Sequence, residues 1–206
     1  TLVWDSFAWR PTRASFFQLA GTHVTRDFVE APSQVMENWV WEEISLVKLS
    51  SHFQTGEALP KTMIEKMRAS KLFGMALHTR RQISFALTDL ELHGTAVADD
   101  PEKIYRSISK KLFFPIPEDS RFLAGFAHLM GYDAGYYGYA WADVMAADIF
   151  SRFKEDGVLN AKLGQRLREE IYEKGSSRDE EESLVAFLQR PLSNQAFFES
   201  LGVSNS

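Results

Sequence analysis

The 206-residue chain carries 23 Lys and Arg against 28 Asp and Glu, a formal net charge of −5 with both signs interspersed, which offers no basic face for nucleic acid. An apolar fraction of 45% with 13% aromatics argues against disorder and supports one substantial core or two small ones. No apolar run approaches the roughly 20 residues of a membrane span, and there is no cysteine to form a disulfide or a thiolate metal ligand, so no membrane partner and a cytoplasmic setting are expected.

Taken in order, the chain is a series of helical patterns punctuated by Pro and Gly, and the expected class is all-α. Residues 33–53 set Val35, Met36, Trp39, Val40, Leu46, Val47 and Leu49 at mainly 3.6-residue spacing behind Pro32, with Gly56 past the end. Pro60 opens a second helix over 62–70. The longest expected helix is 72–92, with Phe73, Ala76, Leu77, Ile83, Leu87 and Leu90 as its apolar side and His93-Gly94 as its stop. Pro101 starts another, with Ile104, Ile108 and Leu112 in register. Residues 114–118, Phe-Pro-Ile-Pro-Glu, form a connector, because the residue before each proline is pushed extended. Helices over 137–153, 160–172 and 180–188 complete the reading, the last opening on acidic residues 179–182 that suit the macrodipole and a solvated face. Trp39, Trp41 and Trp141 are expected in the core. There is no internal repeat.

Two stretches carry chemistry. The first is Gly21-Thr-His-Val-Thr-Arg-Asp-Phe-Val-Glu-Ala-Pro-Ser-Gln-Val-Met-Glu-Asn-Trp39. On the residues alone, Glu30 either offsets the dipole of the helix it precedes or serves as a carboxylate ligand. Asp27 either orients a ligand histidine or caps a helix. His23 invites a metal assignment, yet the histidines lie at 23, 52, 78, 93 and 128 and no two are four apart. His52, His78 and His93 read as surface or helix-terminal imidazoles without a carboxylate partner. The second stretch, His128-Leu-Met-Gly-Tyr-Asp-Ala-Gly-Tyr-Tyr-Gly-Tyr139, holds three glycines and four tyrosines. Its glycines permit backbone conformations closed to other residues, so it reads as a loop able to move. Tyrosine and histidine are donors suited to a developing oxyanion; the plainer reading is aromatic packing beside a turn.

The first stretch closely resembles the third-ligand region of the thimet oligopeptidase and oligopeptidase A family of zinc peptidases. The likeness continues through His52-Phe-Gln-Thr-Gly-Glu-Ala-Leu-Pro60, Arg81-Gln-Ile-Ser-Phe-Ala86 with Asp89 and His93, the tyrosine-rich stretch, and Gly175-Ser-Ser with Ser183-Leu-Val-Ala-Phe-Leu-Gln-Arg190. The resemblance implies Glu30 as a zinc ligand beside the two histidines of a His-Glu-x-x-His helix about 25 residues upstream. That spacing lands on Thr1 to Asp5, which read Thr-Leu-Val-Trp-Asp, so neither histidine nor the general-base glutamate is present. Reverse-translated and read one nucleotide later, Trp4 to Arg10 can encode a run close to the family's motif helix, and residues 1–20 are therefore expected to be a non-native segment ahead of 21–206. The resemblance further implies that His128, Tyr136 and Tyr139 hydrogen-bond the oxyanion or the substrate backbone, that Tyr132 contacts substrate, and that the substrates are short peptides; His23 is expected to have a structural or substrate-subsite role. Three residues separate His128 from Tyr132, where thimet-type members have four, which bears on the placement of His128. The fold implied is the helical C-terminal portion of a zincin-like, two-lobed oligopeptidase. Such a chain is expected to be inactive alone, with self-association over surface meant for its other half. A non-catalytic helical peptide-binding or scaffold module is the alternative.

Overall fold

The computed structural model describes residues 13–94 and 100–203, and every regular element among them is helical. Residues 1–5, which would stand at the metal-binding motif, lie outside the described residues, as does most of the reading-frame segment. In chain order the helices are α1 (Ala31–Glu37), α2 (Glu43–Leu49), α3 (Lys61–Lys71), α4 (Met75–Leu92), α5 (Pro101–Leu112), the single turn α6 (His128–Gly131), α7 (Tyr137–Asp156), α8 (Ala161–Leu167), α9 (Glu180–Leu188) and α10 (Gln195–Ser200). They form two compact units, Gly74–Ala140 and the remainder on either side of it.

The flanking unit is organised by α7. Ala142, Met145, Ala146, Ile149, Phe150 and Phe153 recur at three- and four-residue intervals and all are buried, the stripe an amphipathic helix must cover. It is covered by Phe28, Ala31 and Val35, by Leu163, Leu167 and Ile171, and by Leu184, Phe187 and Leu188 of α9. Polar groups fix this core at set points. The Trp39 indole meets Phe150 and Phe153 edge-on with centroids 4.7 Å away and donates to the Val158 carbonyl at 2.8 Å. The Tyr172 hydroxyl donates to the Pro32 carbonyl at 2.7 Å from a π-helical turn, Arg168–Tyr172. Asp148, 1% exposed, accepts both Arg190 guanidinium nitrogens at 2.6 and 2.7 Å and the Ser193 N–H at 2.8 Å. Gly175 sits at φ +52°, where a Cβ would stand 2.0 Å from the Leu19 carbonyl oxygen.

In the 74–140 unit, α4 packs on α5 through Phe85, Tyr105 and Leu123. Phe122 stacks on Phe85 at 5.1 Å and on Tyr105 at 5.0 Å. The Glu102 carboxylate accepts the Leu123 N–H at 3.0 Å and ties the 3₁₀ turn over Phe122–Gly125 back to α5.

Three sequence expectations are corrected. The helix expected over 33–53 breaks into α1, a 3₁₀ turn over Asn38–Trp41, and α2. There the Asn38 amide donates to the Gln34 and Val35 carbonyls at 3.4 and 3.2 Å, competing for the groups that would carry the helix forward. Helix α4 starts only at Met75, after Gly74 turns left-handed at φ +77°. Its buried face is Ser84, Phe85, Ala86, Thr88 and Asp89, whereas Leu77, Ile83, Leu87 and Leu90 are 40–44% exposed. Ser84 and Thr88 bury cheaply because each hydroxyl donates to a carbonyl of its own helix at 2.7 Å, which a count of apolar residues does not register. Trp141, expected in the core, is 49% exposed.

Candidate functional site

The tyrosine-rich stretch does not form the open glycine loop its composition suggests. His128–Gly131 is one helical turn, the chain reverses through 132–136, and Tyr137 begins α7. None of Gly131, Gly135 and Gly138 has a positive φ, and the left-handed residue is Ala134 at φ +53°. Gly135 leaves room for a close approach: a Cβ there would meet the Tyr132 ring and carbonyl at 3.0–3.1 Å, and the tyrosine would have to give by a few tenths of an ångström.

This reversal brings His128, Tyr132, Tyr136 and Tyr139 into one cluster. His128 lies 5.3 Å from Tyr136, 5.8 Å from Tyr139 and 6.1 Å from Tyr132, centroid to centroid, each nearly edge-on. Tyr136 and Tyr139 meet at 5.1 Å. The His128 Nε2 and the Tyr139 hydroxyl are hydrogen-bonded at 3.1 Å, and the Tyr136 hydroxyl donates to the Gln82 Oε1 at 2.7 Å. All four side chains are partly exposed. Burial pushes the Tyr136 phenol above its ordinary value and Tyr139 adds to the shift, against the opposing charge of Arg81. The hydroxyl therefore stays protonated, a donor, across the neutral range. Packing and polar function coincide here, since Tyr136 also closes the aromatic core against Phe85 at 5.7 Å and Phe126 at 5.4 Å.

Beneath the cluster lies a carboxylate that the family resemblance takes in but to which the sequence assigned no role. Asp89 of α4 is fully buried. Its Oδ1 accepts the Ala134 N–H at 3.0 Å and its Oδ2 the Tyr136 N–H at 2.9 Å. The His93 Nδ1 stands 2.9 Å from Oδ1 and 2.8 Å from the Asp89 carbonyl; two acceptors on that nitrogen place its proton there. His93, expected to lack a carboxylate partner, thus has one a helical turn away. The Asp-x-x-x-His spacing was the signal available for it.

Glu30 and His23 belong to the other unit. Glu30 is 7% exposed and occupies the N-cap of α1, its carbonyl accepting the Ser33 hydroxyl and the Gln34 N–H, each at 2.9 Å. Asp27 therefore does not cap that helix. His23 is exposed, with its Nδ1 2.8 Å from the Ala20 carbonyl. Among the described residues no three of His, Asp and Glu converge on a point that could hold a metal. One buried carboxylate does not meet the three protein ligands a catalytic zinc takes, so the described residues alone do not fit that ion. No helix among them is long and apolar enough to cross a membrane.

Comparison with known proteins follows the same stretches. The profile of peptidase family M3 matches residues 11–203. Oligopeptidase A of Escherichia coli (strain K12) is 42% identical over 183 residues, 86% of this chain and 27% of that protein. Probable cytosolic oligopeptidase A of Arabidopsis thaliana is 40% identical over 175 residues, 80% of this chain and 25% of its own length. Saccharolysin of Saccharomyces cerevisiae is 38% identical over 188 residues, 87% of this chain and 26% of its own length. The chain thus spans about a quarter of the length of these relatives.

Proposed function

The chain belongs to peptidase family M3, and on that premise we propose that it supplies the peptide-binding and oxyanion-stabilising part of a zinc-dependent oligopeptidase that cleaves internal bonds of short peptides. The observation that carries this reading is the partly exposed cluster of His128, Tyr132, Tyr136 and Tyr139, in which the three tyrosine rings surround the imidazole at 5.3–6.1 Å and the Tyr139 hydroxyl lies 3.1 Å from the His128 Nε2. As the scissile carbonyl becomes tetrahedral, negative charge gathers on its oxygen, and donors held close to it stabilise that charge. Tyr139 and Tyr136 are those donors, the Tyr136 proton turning from the Gln82 Oε1 to the oxyanion. His128 holds the Tyr139 hydroxyl in orientation through its 3.1 Å contact and stabilises the charge with it. Tyr132 and His23 contact the peptide. Where the two histidines of the motif are supplied, Glu30 would be the third protein ligand of a zinc, which would supply an activated water; those histidines are not among the described residues.

The test installs the family's motif at the position its spacing assigns by Thr1→His, Leu2→Glu, Val3→Phe, Trp4→Gly and Asp5→His, then measures zinc by calorimetry and cleavage with an internally quenched peptide. The expected result is zinc binding and cleavage in the motif-bearing chain, both lost on Glu30→Ala, and cleavage reduced about 10²-fold by Tyr136→Phe with zinc retained. A motif-bearing chain that neither binds zinc nor cleaves, or a Tyr136→Phe variant with full activity, overturns the reading.

A further inference from the structure

We propose that Asp89 is a positioning residue of the tyrosine cluster: its carboxylate grips the 132–136 reversal by two backbone N–H groups and so sets where Tyr136 presents its hydroxyl. The inference rests on the role given to Tyr136 above and adds a residue that touches neither peptide nor reacting atoms.

Ala134 holds φ +53° without being glycine, a conformation that persists only where the surroundings over-determine it. The two N–H groups flanking that strained segment, on Ala134 and Tyr136, both point to Asp89, one to each oxygen, at 3.0 and 2.9 Å. A fully buried carboxylate with no guanidinium or ammonium partner is costly. Here its charge is met by these donors and by the His93 Nδ1 at 2.9 Å, bonds of the strong, charge-assisted kind.

The same helix holds the other end of Tyr136. Gln82, seven residues before Asp89 and hence on the same face, accepts the Tyr136 hydroxyl at 2.7 Å. Helix α4 therefore fixes Tyr136 at its backbone nitrogen and at its hydroxyl. Asparagine at 89 offers one acceptor oxygen in place of two, so one N–H of the strained turn loses its partner and the mount loosens while side-chain volume is kept.

The experiment labels the whole chain with 3-fluorotyrosine, assigns the Tyr136 resonance by Tyr136→Phe, and follows it by fluorine NMR in Asp89→Asn. Affinity for a blocked pentaalanine peptide is measured in the wild type, both single variants and the double variant. A displaced Tyr136 resonance with an unmoved Tyr172 resonance is expected. So is peptide affinity reduced about tenfold in each single variant, with no further loss in the double. In a folded Asp89→Asn protein, an unmoved Tyr136 resonance, or losses that multiply in the double variant, overturns the proposal and leaves the reading of the cluster intact. Unchanged affinity in Tyr136→Phe overturns that reading instead, and the proposal with it. If Asp89→Asn does not fold, His93→Gln replaces it: a shifted Tyr136 resonance supports the proposal, and an unmoved one sinks it.

Discussion

Single buried groups govern much of this molecule's stability. Asp148 is bound by the Arg190 fork and the Ser193 N–H, so Asp148→Ala leaves that amide without its acceptor and the Arg190 guanidinium, 37% exposed, with the Pro191 carbonyl, and is expected to cost about 1–3 kcal/mol in urea unfolding. Tyr172 gives a pH signature. Burial raises its phenol far above the ordinary 10.0, so the folded state favours the protonated form. Its contribution is complete below about pH 10 and declines as pH rises beyond that. Tyr172→Phe should therefore lose about 1 kcal/mol at neutral pH with its hydrogen bond to Pro32, and show a shallower alkaline decline than wild type in melts from pH 9 to 12. Residue types made Tyr136, Tyr139 and His128 legible as a candidate site. Asp89 was illegible because its partners lie 45 and 47 residues away, and one helical aspartate resembles any other until the reversal folds onto it.

Helix ends were more readable than helix faces. Asp179 caps α9 through the Glu181 and Glu182 N–H groups at 2.9 and 3.3 Å, ahead of the acidic first turn the sequence announces, and Asp179→Ala should lower the thermal midpoint by an amount equivalent to about 1 kcal/mol. Pro101 opens α5 and residues 114–118 carry no helix, both set by proline geometry that acts locally. The face of α4 was misread because burial went to hydroxyls satisfied within their own helix and to the carboxylate Asp89. The break after α1 depends on one Asn38 amide and on Trp39 finding Val158, 119 residues on, a partner that no periodicity encodes.

Among the described residues two cores, each with its own aromatic centre, account for the all-α class expected from the helical patterns. Leftover apolar surface is the counterpart. Val40, Ile44, Val47 and Leu49 in one unit are 44–74% exposed, and Leu77, Ile83, Leu87 and Leu90 in the other are 40–44% exposed. Faces of this kind on a free chain favour association. Light scattering is expected to show a mass rising with concentration, with dye binding by exposed apolar surface in the dilute species. A monomer at all concentrations that binds no such dye would contradict this.

The π-helical turn over Arg168–Tyr172 has an evolutionary side. A turn of this kind, bonded i→i+5, holds one residue more than an α-helical turn, and each residue of helix advances about 100° around its axis. A homologue with one residue fewer between the positions of Leu163 and Gly175 would wind straight through, carrying the Tyr172 ring about 100° away from the Pro32 carbonyl. An alignment of relatives is thus expected to gap at this turn only where the tyrosine has also been replaced, insertion and side chain being inherited as a pair.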